Sequence, residues 1–162
     1  MSRTIDIYLR RVYSYLGNYI FSEGYELEQS LFFQRNLQFS RSFTKKLNEK
    51  LVEIGLYYSQ WSIVYCLKQI GPVTLVEISN HLDVEKPTIS RTVNRLAEQQ
   101  LIEEVPSNDK RERMIQLTKK GLEVYEKAIL IVSEFEQSLI ADIPSADIDT
   151  AFRTIQLLKE RL

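Results

Sequence analysis

With a single cysteine among its 162 residues, this chain has no intrachain disulfide and no cysteine-based metal cluster open to it. Cys66 falls with Ile63, Leu67 and Ile70 at positions i, i+3, i+4 and i+7, one face of a helix, which predicts a small buried hydrophobe. A redox-sensing thiol would instead want a cation or a helix N-terminus beside it. His81 is the only histidine and reads as an ordinary surface residue, so neither a metal site nor a cofactor is expected. Five glycines and four prolines leave few break points, which favours long helices. No run approaches the ~20 apolar residues of a membrane span. Arg3, Asp6, Arg10 and Arg11 interrupt the start, where a secretory signal needs an unbroken apolar stretch, so a cytoplasmic location is expected. An excess of basic charge is missing too: the net charge is −1, and nucleic-acid binding would have to rest on local clustering. No nucleophile–base set, paired carboxylates or glycine-rich phosphate loop appears, so an enzyme is not expected.

What is present is helical periodicity at about one domain's length. Residues 5–20 place Ile5, Tyr8, Leu9, Val12, Tyr15, Leu16, Tyr19 and Ile20 on one stripe, which Gly17 and Gly24 weaken or end. A second pattern, about 30–54, carries Phe32, Phe39, Phe43, Leu47, Leu51 and Ile54, and Gly55 closes it. Trp61, Val64 and the Cys66 stripe give a helix at about 58–70, stopped by Gly71 and Pro72. Thr74 reads as the N-cap of a short helix that turns Leu75, Ile78, Ser79 and Leu82 to the core.

The most informative helix follows, from Lys86 to about Gln99. Ile89, Val93, Leu96 and Ala97 form its buried stripe. The opposite face shows Pro87, Thr88, Arg91, Asn94 and Arg95, with Ser90 on the flank and no acid between Lys86 and Ala97. Pro87 suits the first turn, where a missing N–H costs nothing. A helix entering the major groove needs short hydroxyls near its N-terminus and an arginine or amide able to bond two acceptors of one base. This face supplies both. Two apolar runs, 101–105 and 114–117, then flank a polar turn at Pro106, Ser107, Asn108 and Asp109. That is a β-hairpin with Lys110, Arg111 and Arg113 near its tip, suited to the electronegative minor groove. Asp109 is placed to organise the turn by accepting backbone hydrogen bonds or pairing with an arginine.

Thr118 caps a long helix to about 140 with two apolar stripes: Leu122, Tyr125, Ile129, Val132, and Val124, Ala128, Ile131, Phe135, Leu139. Pro144 and Ser145 start a last helix bearing Ile148, Phe152, Ile155, Leu158 and Leu162. Stripes that a small domain cannot bury point to a homodimer. The expected fold is mainly α with a small β-hairpin wing: a winged helix-turn-helix lobe plus a helical dimerisation region.

On these residues the chain resembles the MarR family of bacterial transcription regulators from about residue 31 to the end. The wing signature, Asp-x-Arg then Leu-Thr-x-x-Gly, is matched by Asp109 and Arg111 and by Leu117, Thr118 and Gly121. The recognition-helix pattern from Pro87 to Leu96 matches independently. The resemblance implies an obligate homodimer, a pseudo-palindromic operator in double-stranded DNA, and commonly a small effector held between the dimer region and the DNA-binding lobe. It assigns major-groove contacts to Thr88, Ser90 and Arg91, a wing contact to Arg111, and wing organisation to Asp109. Residues 1–30 would be an N-terminal helical extension, 31–56 and 122–162 the dimerisation region, and 57–121 the reading lobe. The peroxide-sensing branch carries its cysteine where this chain has Leu31, Phe32 and Phe33.

The chain also departs from the family. Asp83 and Glu85 stand where a glycine and a serine-like cap are usual, and Gln100 replaces the glycine that ends the recognition helix. Glu103, Glu104 and Glu112 bring acid to the wing, so that eight acids balance eight bases over 74–120. A repressor of modest DNA affinity, released by a small effector, is the expected function; the alternative is a winged helix used for protein–protein contact with little DNA binding. Tyr57, Tyr58, Trp61 and Tyr65 are the candidates for lining an apolar pocket for a small apolar or aromatic effector.

Overall fold

The structure is a computed structural model that describes residues 25–106 and 113–162. The helix read at 5–20 and the wing tip lie outside them. The chain divides into two compact units, residues 1–44 and 45–162, which are described separately. Helix α1, Tyr25–Leu51, begins five residues ahead of the expected start. Within the first unit, Phe32 and Phe33 meet edge to face at 5.4 Å, and Phe32, Phe33, Leu37 and Phe39 are exposed.

In the second unit, Leu47 and Leu51 are buried on the last turns of α1. A short 3-10 turn, Val52–Ile54, ends at Gly55, whose φ of 76° is the left-handed closure expected there. Helix α2, Tyr58–Ile70, starts where the Gln60 side chain turns back to accept the Tyr57 N–H at 3.0 Å, and ends at Gly71. It buries Trp61, Ile63, Val64, Cys66 and Leu67, while Ile70 at its exit stays exposed. Burial pushes the Cys66 thiol above its ordinary pKa, away from thiolate chemistry.

Helix α3, Leu75–Leu82, has the expected cap in a reciprocal form. Glu77 N–H donates to Thr74 Oγ1 at 3.2 Å, and the Glu77 carboxylate accepts both the Thr74 N–H (2.8 Å) and its hydroxyl (2.9 Å). Those donors hold the Glu77 carboxyl below the usual range. Only Ile78 is fully buried; Leu75, Ser79 and Leu82 are half-buried. Helix α4 spans Lys86–Glu98. Strands β2, Ile102–Val105, and β3, Met114–Leu117, pair antiparallel as the expected hairpin. A third strand was not legible: β1, Val73–Thr74, pairs with β3, giving the order β1-β3-β2. Two residues carry no periodicity, and only the free edge of β3 makes them a strand.

Helix α5, Lys119–Ile140, carries the two apolar stripes read from the sequence but buries a single line of residues drawn from both. Tyr125 and Val132 come from the first and Ala128 and Phe135 from the second. Leu122, Leu130, Leu139 and Ile140 remain exposed; among the described residues α5 packs against α2, the 3-10 turn and β3. Helix α6, Ser145–Lys159, buries no residue at all. Phe152, Ile155 and Leu157 stand open along it.

The end of α4 is fastened to the start of α5. Gln100 takes a left-handed φ of 60°, and its carbonyl accepts the Thr118 hydroxyl at 2.7 Å. Thr118 Oγ1 in turn accepts the Gly121 N–H at 3.0 Å, and Lys120 Nζ donates to the Gln99 carbonyl at 2.8 Å. A left-handed non-glycine residue costs roughly 1–2 kcal/mol. The Gln100 side chain is exposed, so Gln100→Gly should stabilise the fold by about 0.5–1 kcal/mol after the extra chain entropy of glycine is subtracted. A urea midpoint that stays put or falls would mean that the position carries no strain.

Candidate nucleic-acid interface

Helices α3 and α4 are joined through a turn that works without the glycine and serine-like cap expected from the resemblance. Asp83 itself takes the left-handed conformation, at φ 53°, which short polar side chains tolerate better than most. Ser79 closes the turn from the other side: its hydroxyl donates to the Val84 carbonyl at 2.7 Å, and its carbonyl accepts the Val84 N–H at 3.1 Å. Glu85 makes no side-chain cap, but its carbonyl accepts the Thr88 and Ile89 N–H groups. Pro87 occupies the first turn of α4 as expected.

The buried side of α4 is Ile89, Thr92, Val93 and Leu96, with Ala97 half-buried. Thr92 was absent from the expected stripe; it can be buried because its hydroxyl donates to the Thr88 carbonyl at 3.0 Å within the helix. The outer side brings together Lys86, Pro87, Thr88, Arg91, Asn94 and Arg95, all exposed, while Ser90 is half-buried at the margin. Thr88, Arg91 and Arg95 form a single stripe at i, i+3 and i+7. The wing is a different case. Asp109, Lys110 and Arg111 fall outside the described residues. Arg113 is described, and its guanidinium is ion-paired with Glu104 across the hairpin. On the other face, the Gln116 amide donates to Glu103 at 2.8 Å.

The four aromatic candidates for an effector pocket do not share one site. Trp61 stacks on Tyr125 at 5.7 Å, and Tyr65 lies 5.5 and 6.5 Å from those two rings. Lys68 Nζ sits 5.4 Å from the Tyr125 ring centre. Tyr58 is exposed, with its N–H held by Asn48 Oδ1 at 2.6 Å. Tyr57 instead lines a separate cavity of about 230 Å³ with Ser59, Gln60, Arg95, Glu98 and Gln99. Two of its lining side chains are joined, buried Gln60 Nε2 donating to exposed Gln99 Oε1 at 3.0 Å. Helical period placed the tyrosines on one segment; ring direction separated them.

Residues 56–112 match the model of the MarR family. The HTH-type transcriptional regulator YwoH of Bacillus subtilis (strain 168), itself described as uncharacterised, is 44% identical over 110 residues, covering 68% of this chain and 80% of that protein. The chain belongs to the MarR family of transcriptional regulators.

Among solved structures, Staphylococcus aureus MarR in complex with salicylate and kanamycin superposes with a TM-score of 0.74 at 31% identity, over 84% of this chain and 93% of that one. A mutant of E. coli MarR in complex with operator DNA gives 0.75 over 84% and 99%, and at 20% identity that likeness is one of fold. Membership of the MarR family makes the local departures informative. Positions 83 and 100 keep the left-handed backbone although neither is glycine. The Leu-Thr-x-x-Gly signature has a geometric cause here, since a Cβ on Gly121 would overlap the Leu101 carbonyl oxygen.

Proposed function

We propose that this MarR-family protein is a homodimeric, sequence-specific repressor that reads a pseudo-palindromic operator and is released from it by a small effector. The observation that carries this reading is the exposed, acid-free stripe of Thr88, Arg91 and Arg95 on a helix anchored by its opposite face. Such a helix fits the major groove, where arginine can bond two acceptors of guanine and the hydroxyls of Thr88 and Ser90 can reach phosphates or base edges. Lys86, Pro87 and Asn94 flank that stripe, and the 106–113 wing is assigned to the minor groove through Lys110, Arg111 and Arg113, with Asp109 organising it.

Residues 31–56 and 122–162 are the proposed dimerisation region and 1–30 an extension to it. Helix α6, with its exposed Phe152, Ile155 and Leu157, supports pairing, since apolar surface of that kind is covered in a stable protein. Paired, the two α4 helices would lie about 34 Å apart, one turn of DNA. An effector is supported by the cavity beside Tyr57, near the lobe's first helix. That cavity shares Arg95 with the DNA-facing stripe, so a ligand there would favour the DNA-free state. No described helix is long and apolar enough to cross a membrane, and the cytoplasm is the proposed location.

The second reading, a winged helix for protein–protein contact, is favoured by the one described wing cation being held by Glu104. Selection from random duplexes by the purified protein separates the two. An enriched inverted repeat with half-sites about 10 bp apart is the expected outcome, its band shift weakened by small aromatic acids. No enrichment at low salt would favour the protein partner.

A further inference from the structure

The register of the wing hairpin sets opposite charges on one face. Glu104 stands directly across from Ile115, and Glu103 from Gln116. Side chains alternate along a strand, so Arg113, two residues before Ile115, shares a face with Glu104 and is its diagonal neighbour. The two side chains form an ion pair there, both near half-exposed, at 56% for Glu104 and 47% for Arg113. Glu103 points to the other face and is engaged by Gln116 at 2.8 Å. Arg113 is the sole cation among the described wing residues, 102–106 and 113–117. Its charge is already answered before DNA arrives.

We infer that Glu104 is a positioning residue that competes with DNA phosphate for Arg113 and thereby sets the affinity of the wing. This rests on the DNA-reading function proposed above. To contact a phosphate, Arg113 must leave Glu104 or carry that carboxylate toward the DNA backbone. Either route cancels part of the attraction and part of the counterion release that a free arginine provides. The ion pair is exposed and therefore weak in itself. Weakness suits the role, because phosphate can displace the carboxylate at a measurable penalty rather than being shut out.

Operator affinity should be measured across a salt series for the full-length chain and for Glu104→Gln, Arg113→Gln, the double variant, and Glu103→Gln. Glu104→Gln is expected to bind roughly fivefold more tightly per subunit at low salt, with the salt dependence of log affinity steeper by about one per subunit. Glu103→Gln removes the same charge from the other face and should change affinity less than twofold. In the Arg113→Gln background, Glu104→Gln should lose most of its effect. Equal gains from both glutamates, or a gain that persists without Arg113, would show plain repulsion and overturn the inference. An unchanged affinity and slope in Glu104→Gln would overturn it as well. If the parent chain binds DNA but these variants do not differ from it, only this inference fails; if none binds, the DNA-reading function fails with it. Unchanged thermal midpoints exclude a folding artefact.

Discussion

Replacing Arg91 by alanine is expected to remove most of the discrimination between operator and random DNA. Arg91 lies at the middle of the exposed stripe of α4, and no ion pair holds it among the described residues. A guanidinium bidentate to guanine contributes about 1–3 kcal/mol of preference over the wrong base. The proposed dimer would lose the contact twice, so specific affinity should fall roughly thirtyfold or more, at about tenfold per 1.4 kcal/mol. Non-specific binding should fall far less, because it depends on total charge neutralised rather than on base edges. The measurement is the ratio of operator to random-duplex affinity at one salt concentration. If that ratio survives in Arg91→Ala, α4 is not the reading helix.

The second large effect is expected at Gly121. The α5 backbone passes so close to the Leu101 carbonyl that a methyl group has no room, and Leu101 O is already taken by the Thr118 N–H at 3.0 Å. The obstacle is backbone, not a side chain that can swing away, so Gly121→Ala must separate the first turn of α5 from residue 101. Overpacking of this kind costs about 1–3 kcal/mol and occasionally more. At the upper end, the thermal midpoint of a chain this size should drop by roughly 6–12 °C. The same separation would disturb the Thr118 and Lys120 hydrogen bonds that hold the end of α4, so operator binding should weaken even where the protein stays folded. A midpoint within a degree of the parent would mean that this junction tolerates a side chain.

Much of the fold was legible because its signals are local. The glycine at 55, the Gly71 and Pro72 stop, the Thr74 and Thr118 caps and the proline at 87 each act on the backbone within a turn of their own position. The buried and exposed sides of α4 followed from period alone, apart from Thr92. A threonine reads as polar until its hydroxyl is seen bonded inside its own helix.

What stayed hidden depends on partners distant in sequence. Strand β1 exists because β3 offers it an edge. The stripe buried on α5 was chosen by the direction from which α2, the 3-10 turn and β3 approach, which no period records. Trp61 and Tyr65 went to Tyr125 rather than to Tyr57 because helix packing aimed their rings there. Arg113 looked like a free wing cation until the strand register put Glu104 diagonally beside it.

Composition and periodicity by themselves determined that this is a helical protein with an outward-facing basic helix and a hairpin behind it, because those properties follow from side-chain spacing along the backbone. Which of its cations remain available to DNA was decided only by the tertiary structure. Charge pairing depends on distances of a few ångströms between residues far apart in the chain, and those distances are set when the strands and helices pack.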